Sequence, residues 1–277
     1  EGMGIMRLSH DSQLEWAVEN NAHHDNEVDP EGRILTLTRG ARKENPWGRP
    51  LSDEWVTELA PDGTELRRIS VLDSLARSPY RKVLDRLIRS DKGLDGMRKT
   101  ARRAGDVLHI NSLRRLYGGP GVFSNGNILL SSRTLSALWV MDAETGDLVW
   151  GMTGEFDGQH DAQLMDDGSV LFFDNGSKSS RLLRIDAKGR VVWKWAREGF
   201  FSRFCGTVQV LPNANLLIAE TFPGRAIEID PKGEVGWEWH SPYRAVDNAE
   251  LTANLFEIER VPADYGDAWL KPVSPPR

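Results

Sequence analysis

Along most of the chain, apolar and polar positions alternate over short runs that break at turns rich in Asp, Asn and Gly. Period-two alternation puts one set of side chains on each face of a strand, and those turn residues adopt backbone conformations that others resist. Three segments carry the pattern in register: 140–150, 184–193 and 228–237. Each reads as strand, tight turn, strand, with Asp142, Asp186 and Asp230 recurring 44 residues apart. Residues 7–16 are a weaker copy, and 58–67 a variant with Arg67 in place of Trp. A second hairpin pattern accompanies the first, in segments 25–37, 161–173 and 207–218, which align on Gly32, Gly168 and Ala214. Two hairpins per repeat make a four-stranded sheet, and four strands at this period mark a β-propeller blade.

The expected fold is therefore all-β: a β-propeller of four-stranded blades, five of whose outer hairpins are visible. Trp150, Trp193 and Trp237 are expected to pack between neighbouring sheets. Segments 4–8 and 254–259 look like parts of blades at the closure of the ring. The chain reads as a single propeller domain over 1–277, with residues expected to be missing before Glu1. One stretch breaks the pattern. Over 71–104, Leu72, Leu75, Val83, Leu84, Leu87 and Ile88 fall at helical spacing, interrupted by Pro79. This stretch has ten Lys or Arg and four Asp, a local charge of +6 in a chain of net charge −6. It reads as a basic helical insertion over one face of the ring, either a solvated cover or a lid that attracts an anionic substrate.

The acidic balance argues against a nucleic-acid partner. No apolar run is long enough to span a membrane. Cys205 is the one cysteine, which excludes an internal disulfide and a cysteine-based zinc site. The start at Glu1, without a signal-like stretch, suggests that an upstream targeting segment has been removed.

The repeat also isolates candidate chemistry. Eight residues before Gly32 and Gly168 stand His24 and His160, where the third copy has Gly206. In the intervening blade, His109 is placed at the same strand start. Seven residues after the turns come Arg39, Arg133, Asn175 and Thr221. Equivalent positions of a propeller converge around its axis, so His24, His109 and His160 are expected to meet at one mouth with Arg133 in reach. Such a set suits an anion or a metal. His23 reads as a neighbour on the opposite strand face, and His10 and His240 as surface residues. Trp47, Phe200, Phe201 and Phe204 are candidate walls of an aromatic mouth.

At these residues the sequence resembles the arylsulfotransferase family, the bacterial aryl-sulfate sulfotransferases that use no nucleotide sulfate donor. The matching motifs are His23-His24-Asp25, His109 with Asn111, Ser131-Ser132-Arg133, and His160-Asp161 followed by Asp174-Asn175-Gly176. The resemblance implies a six-bladed propeller that moves a sulfuryl group from an aryl sulfate ester to a phenolic acceptor. It implies His160 as a nucleophile that becomes transiently sulfated, supported by His24, His109 and Arg133, with no metal and no diffusible cofactor. Asn111 and Asp161 are expected to orient the imidazoles. The resemblance also implies export, to the periplasm in bacteria. The chain departs from the best-known members in having neither their N-terminal β-sandwich nor their disulfide. Two other readings fit the same residues: a non-catalytic propeller that binds or assembles, and a hydrolase with a metal on His24, His109 and His160.

Overall fold

The structure, a computed structural model, describes residues 2–48, 50–89 and 105–265. A first hairpin pairs β1 (Ile5–Leu8) with β2 (Leu14–Val18). Four antiparallel four-stranded sheets follow. The first comprises β3 (Ala22–Val28), β4 (Ile34–Arg42), β5 (Leu51–Leu59) and β6 (Glu65–Ser70). The second comprises β7 (Ile110–Arg115), β8 (Ile128–Ser132), β9 (Ala137–Met141) and β10 (Leu148–Thr153). The third comprises β11 (His160–Leu164), β12 (Val170–Asp174), β13 (Arg181–Ile185) and β14 (Val191–Trp195). The fourth comprises β15 (Thr207–Val210), β16 (Leu216–Glu220), β17 (Arg225–Ile229) and β18 (Val235–His240). A small hairpin, β19 (Arg244–Ala245) with β20 (Asn248–Thr252), is the last strand pair among the described residues. All five outer hairpins expected from the repeat are present: β1–β2, β5–β6, β9–β10, β13–β14 and β17–β18.

Within each full sheet the strands pair in chain order. Successive first strands touch: β3 with β7, β7 with β11 and β11 with β15. The first strand is thus the innermost of each blade. Side chains on these strands accept backbone N–H groups of the next blade. Asp25 Oδ2 accepts from Leu113 at 3.0 Å, Ser112 Oγ from Ala162 at 3.2 Å and Asp161 Oδ2 from Val208 at 2.6 Å. Away from the axis the link is aromatic. The indole Nε1 groups of Trp16, Trp150 and Trp195 donate to the carbonyls of Pro61, Ala187 and Gly233 in the next blade's outer turn, at 2.9–3.0 Å. These turns need glycine. Gly189 has φ of 79°, and a Cβ there would lie 1.7 Å from Met152 Cε.

Between the sheets lie three apolar clusters. One holds the first two full blades together, with Leu37, Ile110, Leu130 and Trp139 at its heart. Phe123, Trp150 and Phe172 centre the second, and Phe173, Trp195, Phe200 and Ile218 the third. Trp150 is 8% exposed, as its inter-blade role requires. Trp193 is only partly buried, because Trp195, two residues on and on the same strand face, takes the inter-blade hydrogen bond. Trp237 departs from expectation at 40% exposure, since among the described residues no strand packs extensively against that face of β18. Segment 254–259 also forms no strand. It is tied along the fourth sheet, where Leu255 N–H donates to Thr221 O and Arg260 N–H to Gln209 Oε1.

The insertion is helical where described. It holds α1 (Val71–Arg77), capped by Ser70 Oγ on Asp73 N–H, and α2 (Arg81–Arg89), with Pro79 between them. Val71, Leu72, Leu75, Leu84 and Ile88 are buried in the first cluster, so these helices form part of the wall. The remainder of the expected insertion, 90–104, lies outside the described residues. Among the described residues no helix is long and apolar enough to cross a membrane.

The two faces of the repeat predict different costs for one substitution. Trp150→Ala should destabilise by about 3–5 kcal/mol through lost burial and an orphaned carbonyl. Trp237→Ala should cost under about 1 kcal/mol, because that ring is already wet. Equilibrium urea unfolding of both variants checks the contrast.

Candidate active site

The first strands do not enter their sheets smoothly. His24, His109, Asp161 and Cys205 all have left-handed backbone, with φ of 58°, 47°, 50° and 56°. Register shifts lie between His23 and Asn26, Ile110 and Ser112, and His160 and Gln163. Such bulges re-aim the side chains beside them. Here they bring residues from the blade entries together at one mouth.

His160 is fully ordered by its surroundings. Its Nδ1 lies 2.8 Å from Gly158 O and 2.7 Å from Asn175 Oδ1. The Asn175 amide cannot present its nitrogen instead, because Nδ2 donates to Ser202 O at 2.8 Å and Cys205 O at 2.6 Å. Two acceptors face Nδ1, so Nδ1 carries the proton and Nε2 keeps its lone pair. Burial, opposed by the Asn175 bond and aided by Arg133 and His24, lowers the pKa of His160 to about 3. The ring is therefore neutral across the physiological range, with its lone pair on Nε2.

His109 is oriented the same way by a different partner. Its Nδ1 is 2.7 Å from Asp106 Oδ2, while Asp106 Oδ1 accepts the His109 backbone N–H at 3.0 Å. Although burial opposes it, the bonds from His109 hold the Asp106 carboxyl below the usual carboxylate range. The rings of His24 and His109 meet edge to face with centroids 4.9 Å apart, and His23 meets His24 at 5.0 Å. His23 and His24 share a hydrogen bond between their Nδ1 atoms at 2.7 Å. Arg133 is anchored where its backbone N–H donates to His109 O at 2.9 Å, and its guanidinium lies 5.0 Å from the centre of the Phe204 ring.

The structure thus gathers His23, His24, His109, Arg133 and His160 around one mouth. It alters the reason for His109. Measured from the inter-blade bonds of Asp25, Ser112 and Asp161, the residue equivalent to His24 and His160 is Asn111. His109 stands two residues earlier and enters from the preceding loop. Asn111 and Asp161 do not orient imidazoles. Asn111 Nδ2 donates to Gln159 O at 2.7 Å, and Asp161 binds Val208 N–H and Arg114. The orienting partners are Asp106 and Asn175. Asp106 carried a sequence signal, three residues before His109, where a short carboxylate can cap and bond it at once. Of the candidate aromatic walls, Phe204 stands beside Arg133 and pairs with Phe222, their centroids 5.7 Å apart. Phe200 is buried in the third core cluster, Phe201 is partly buried, and Trp47 turns away to Asp85 Oδ1. Among the described residues no group of three or more His, Cys, Asp or Glu side chains is arranged to hold a metal ion.

Residues 2–242 match the sequence profile of the Arylsulfotransferase (ASST) family. The chain belongs to the arylsulfotransferase family. No curated protein matches the chain. Solved structures share its fold at low identity. A Bacteroides caccae protein of unknown function is 14% identical, with a TM-score of 0.56 over 91% of this chain and 79% of that one. A streptogramin B lyase is 13% identical (TM-score 0.51, 87% of this chain and 63% of that one). The Dos1 propeller is 7% identical (TM-score 0.50, 88% and 55%), so this chain spans less than two thirds of either of these last two. These likenesses establish the propeller fold alone. The arylsulfotransferase assignment rests on the family match, which covers every strand of the four full blades.

The buried imidazoles carry a pH signature. His160 and His23 are each lowered to about 3 in the fold. Their unfolded values lie near 6.5, so below that pH the unfolded chain binds more protons and stability falls as pH drops toward 3. At pH 4 each ring should have cost about 3 kcal/mol relative to pH 7. The stability advantage of the wild type over His23→Asn should shrink accordingly in urea titrations at stepped pH.

Proposed function

We propose that the protein moves a sulfuryl group from an aryl sulfate ester to a phenolic acceptor, in a ping-pong cycle through a sulfated His160. Family membership supports aryl sulfotransferase activity in general terms. The observation that carries the finer reading is the double acceptor on His160 Nδ1, which leaves the lone pair on Nε2 of a ring that lies within the field of Arg133.

In the first half-reaction Nε2 attacks sulfur, the bond to the aryl oxygen breaks, and a phenol leaves. Nδ1 keeps its proton on Gly158 O and Asn175 Oδ1, so the sulfated ring is a zwitterion that leaves readily in the second half. Arg133 is suited to fork onto two sulfuryl oxygens, and it cannot lose its proton. His24 and His109 are the donors for the leaving oxygen and the sulfuryl group. The Phe204–Phe222 pair offers the aryl ring a face next to Arg133. No step in this scheme uses a cofactor. Family members are generally exported periplasmic enzymes, and the reading extends that compartment to this chain.

The test uses 4-nitrophenyl sulfate with and without added phenol. Release of 4-nitrophenolate should depend on phenol and fall about a thousandfold in His160→Asn. Release that depends on His160 but ignores phenol would make the protein a sulfatase instead. No release from the wild type would favour a binding propeller. Asn175→Leu, which leaves Gly158 O as the one remaining acceptor on His160 Nδ1, should lower the rate about 10- to 100-fold without loss of folding.

A further inference from the structure

Behind the mouth, a fully buried carboxyl on β5 faces the histidine pair. Glu54 Oε2 accepts the Ile110 N–H at 2.6 Å. Its other oxygen, Oε1, stands 3.8 Å from His23 Nε2, and that nitrogen is buried with no hydrogen-bond partner. An orphaned imidazole nitrogen facing a buried carboxyl is costly unless the two exchange a proton. Burial, and then the neighbouring Asp106 and Asp53, raise Glu54 well above the usual carboxyl range, against the Ile110 bond and Arg39. Its protonated form is thereby favoured, and His23 is held neutral. With a proton on Glu54, the lone pair of His23 belongs on Nε2 and its proton on Nδ1. The 2.7 Å contact then runs from His23 Nδ1–H to the lone pair of His24 Nδ1, which leaves the His24 proton on Nε2.

We propose that Glu54, His23 and His24 form a proton relay that serves the leaving and entering phenol oxygens. This rests on the sulfotransferase reading above. As the aryl oxygen leaves sulfur with its bonding electrons, His24 Nε2 gives it a proton. His24 Nδ1 takes one from His23 Nδ1, and His23 Nε2 takes one from Glu54, after the two close by about 1 Å. The enzyme then holds a sulfated His160 and a Glu54 carboxylate, which Ile110 N–H binds and Arg39 favours. In the second half the acceptor phenol's proton runs back along the same atoms to Glu54, its oxygen attacks sulfur, and the electron pair of the S–N bond returns to His160. Protons and charge balance over the cycle without exchange with solvent. Glu54 and His23 act through His24 and are positioning residues.

The relay matters most when the leaving oxygen is basic. In Glu54→Gln, turnover of phenyl sulfate should fall at least tenfold further than turnover of 4-nitrophenyl sulfate, whose leaving group is a weaker base. Equal losses on the two donors, or no loss on either, would overturn the relay. A second measurement needs no turnover. Nitrogen-15 NMR of the imidazoles should show His23 protonated at Nδ1 and His24 at Nε2, and Glu54→Gln should change the His23 pattern. A His24 protonated at Nδ1 would sink the relay whatever the activity. A wild type inactive on both donors but with the expected tautomers would count against the sulfotransferase reading and leave the proton path intact.

Discussion

A short polar side chain on the inner strand of one blade, accepting a backbone N–H from the inner strand of the next, is the bond on which this molecule depends. Asp25, Ser112 and Asp161 make it at three successive junctions. Inner-strand N–H groups facing the channel have no partner within their own sheet, and burying them unpaired would cost about 1–3 kcal/mol each. The bond satisfies them and sets the angle of each blade to its neighbour. It also sets the registry from which the site is built. His24 and His160 each precede one of these acceptors directly, so the link that locks the blades also places the imidazoles.

The chemistry of the mouth follows from desolvation. Imidazoles in water divide their time between tautomers and protonate near neutrality. Here His160 is enclosed, its Nδ1 is claimed by two oxygens, and its proton affinity at Nε2 falls with burial and with Arg133 nearby. The cation that lowers basicity is the one an anionic group would seek. Low proton affinity and a fixed lone pair thus arise from the same arrangement that attracts negative charge.

Much of this was legible in the chain. The 44-residue period, the Asp and Gly turns and the five outer hairpins reflect local rules, and local rules survive folding. The gathering of His24, His160 and Arg133 could be read because blades repeat. What the repeat could not carry was anything set by bulges or by the chain's path between sheets. His109 looked equivalent to His24, yet a different bulge length puts Asn111 in that place and brings His109 from the loop. Asn111 and Asp161 stand within two residues of His109 and His160 but bond to the next blade. Glu54 lies on a third strand, and no spacing connects it with His23. Trp237 matched Trp150 in sequence, but burial depends on what stands opposite.

The left-handed residues at the blade entries have one more consequence. His24, His109, Asp161 and Cys205 hold a conformation that glycine would adopt at about 1 kcal/mol less apiece. Where the side chain carries chemistry, that relief is closed to selection, and the fold retains strain at the place it can least be removed. Thermal hardening of this scaffold therefore has to come from elsewhere. The exposed β1–β2 hairpin, with Met6, Leu8 and Leu14 in water, offers far more room to improve than the four corners around the mouth.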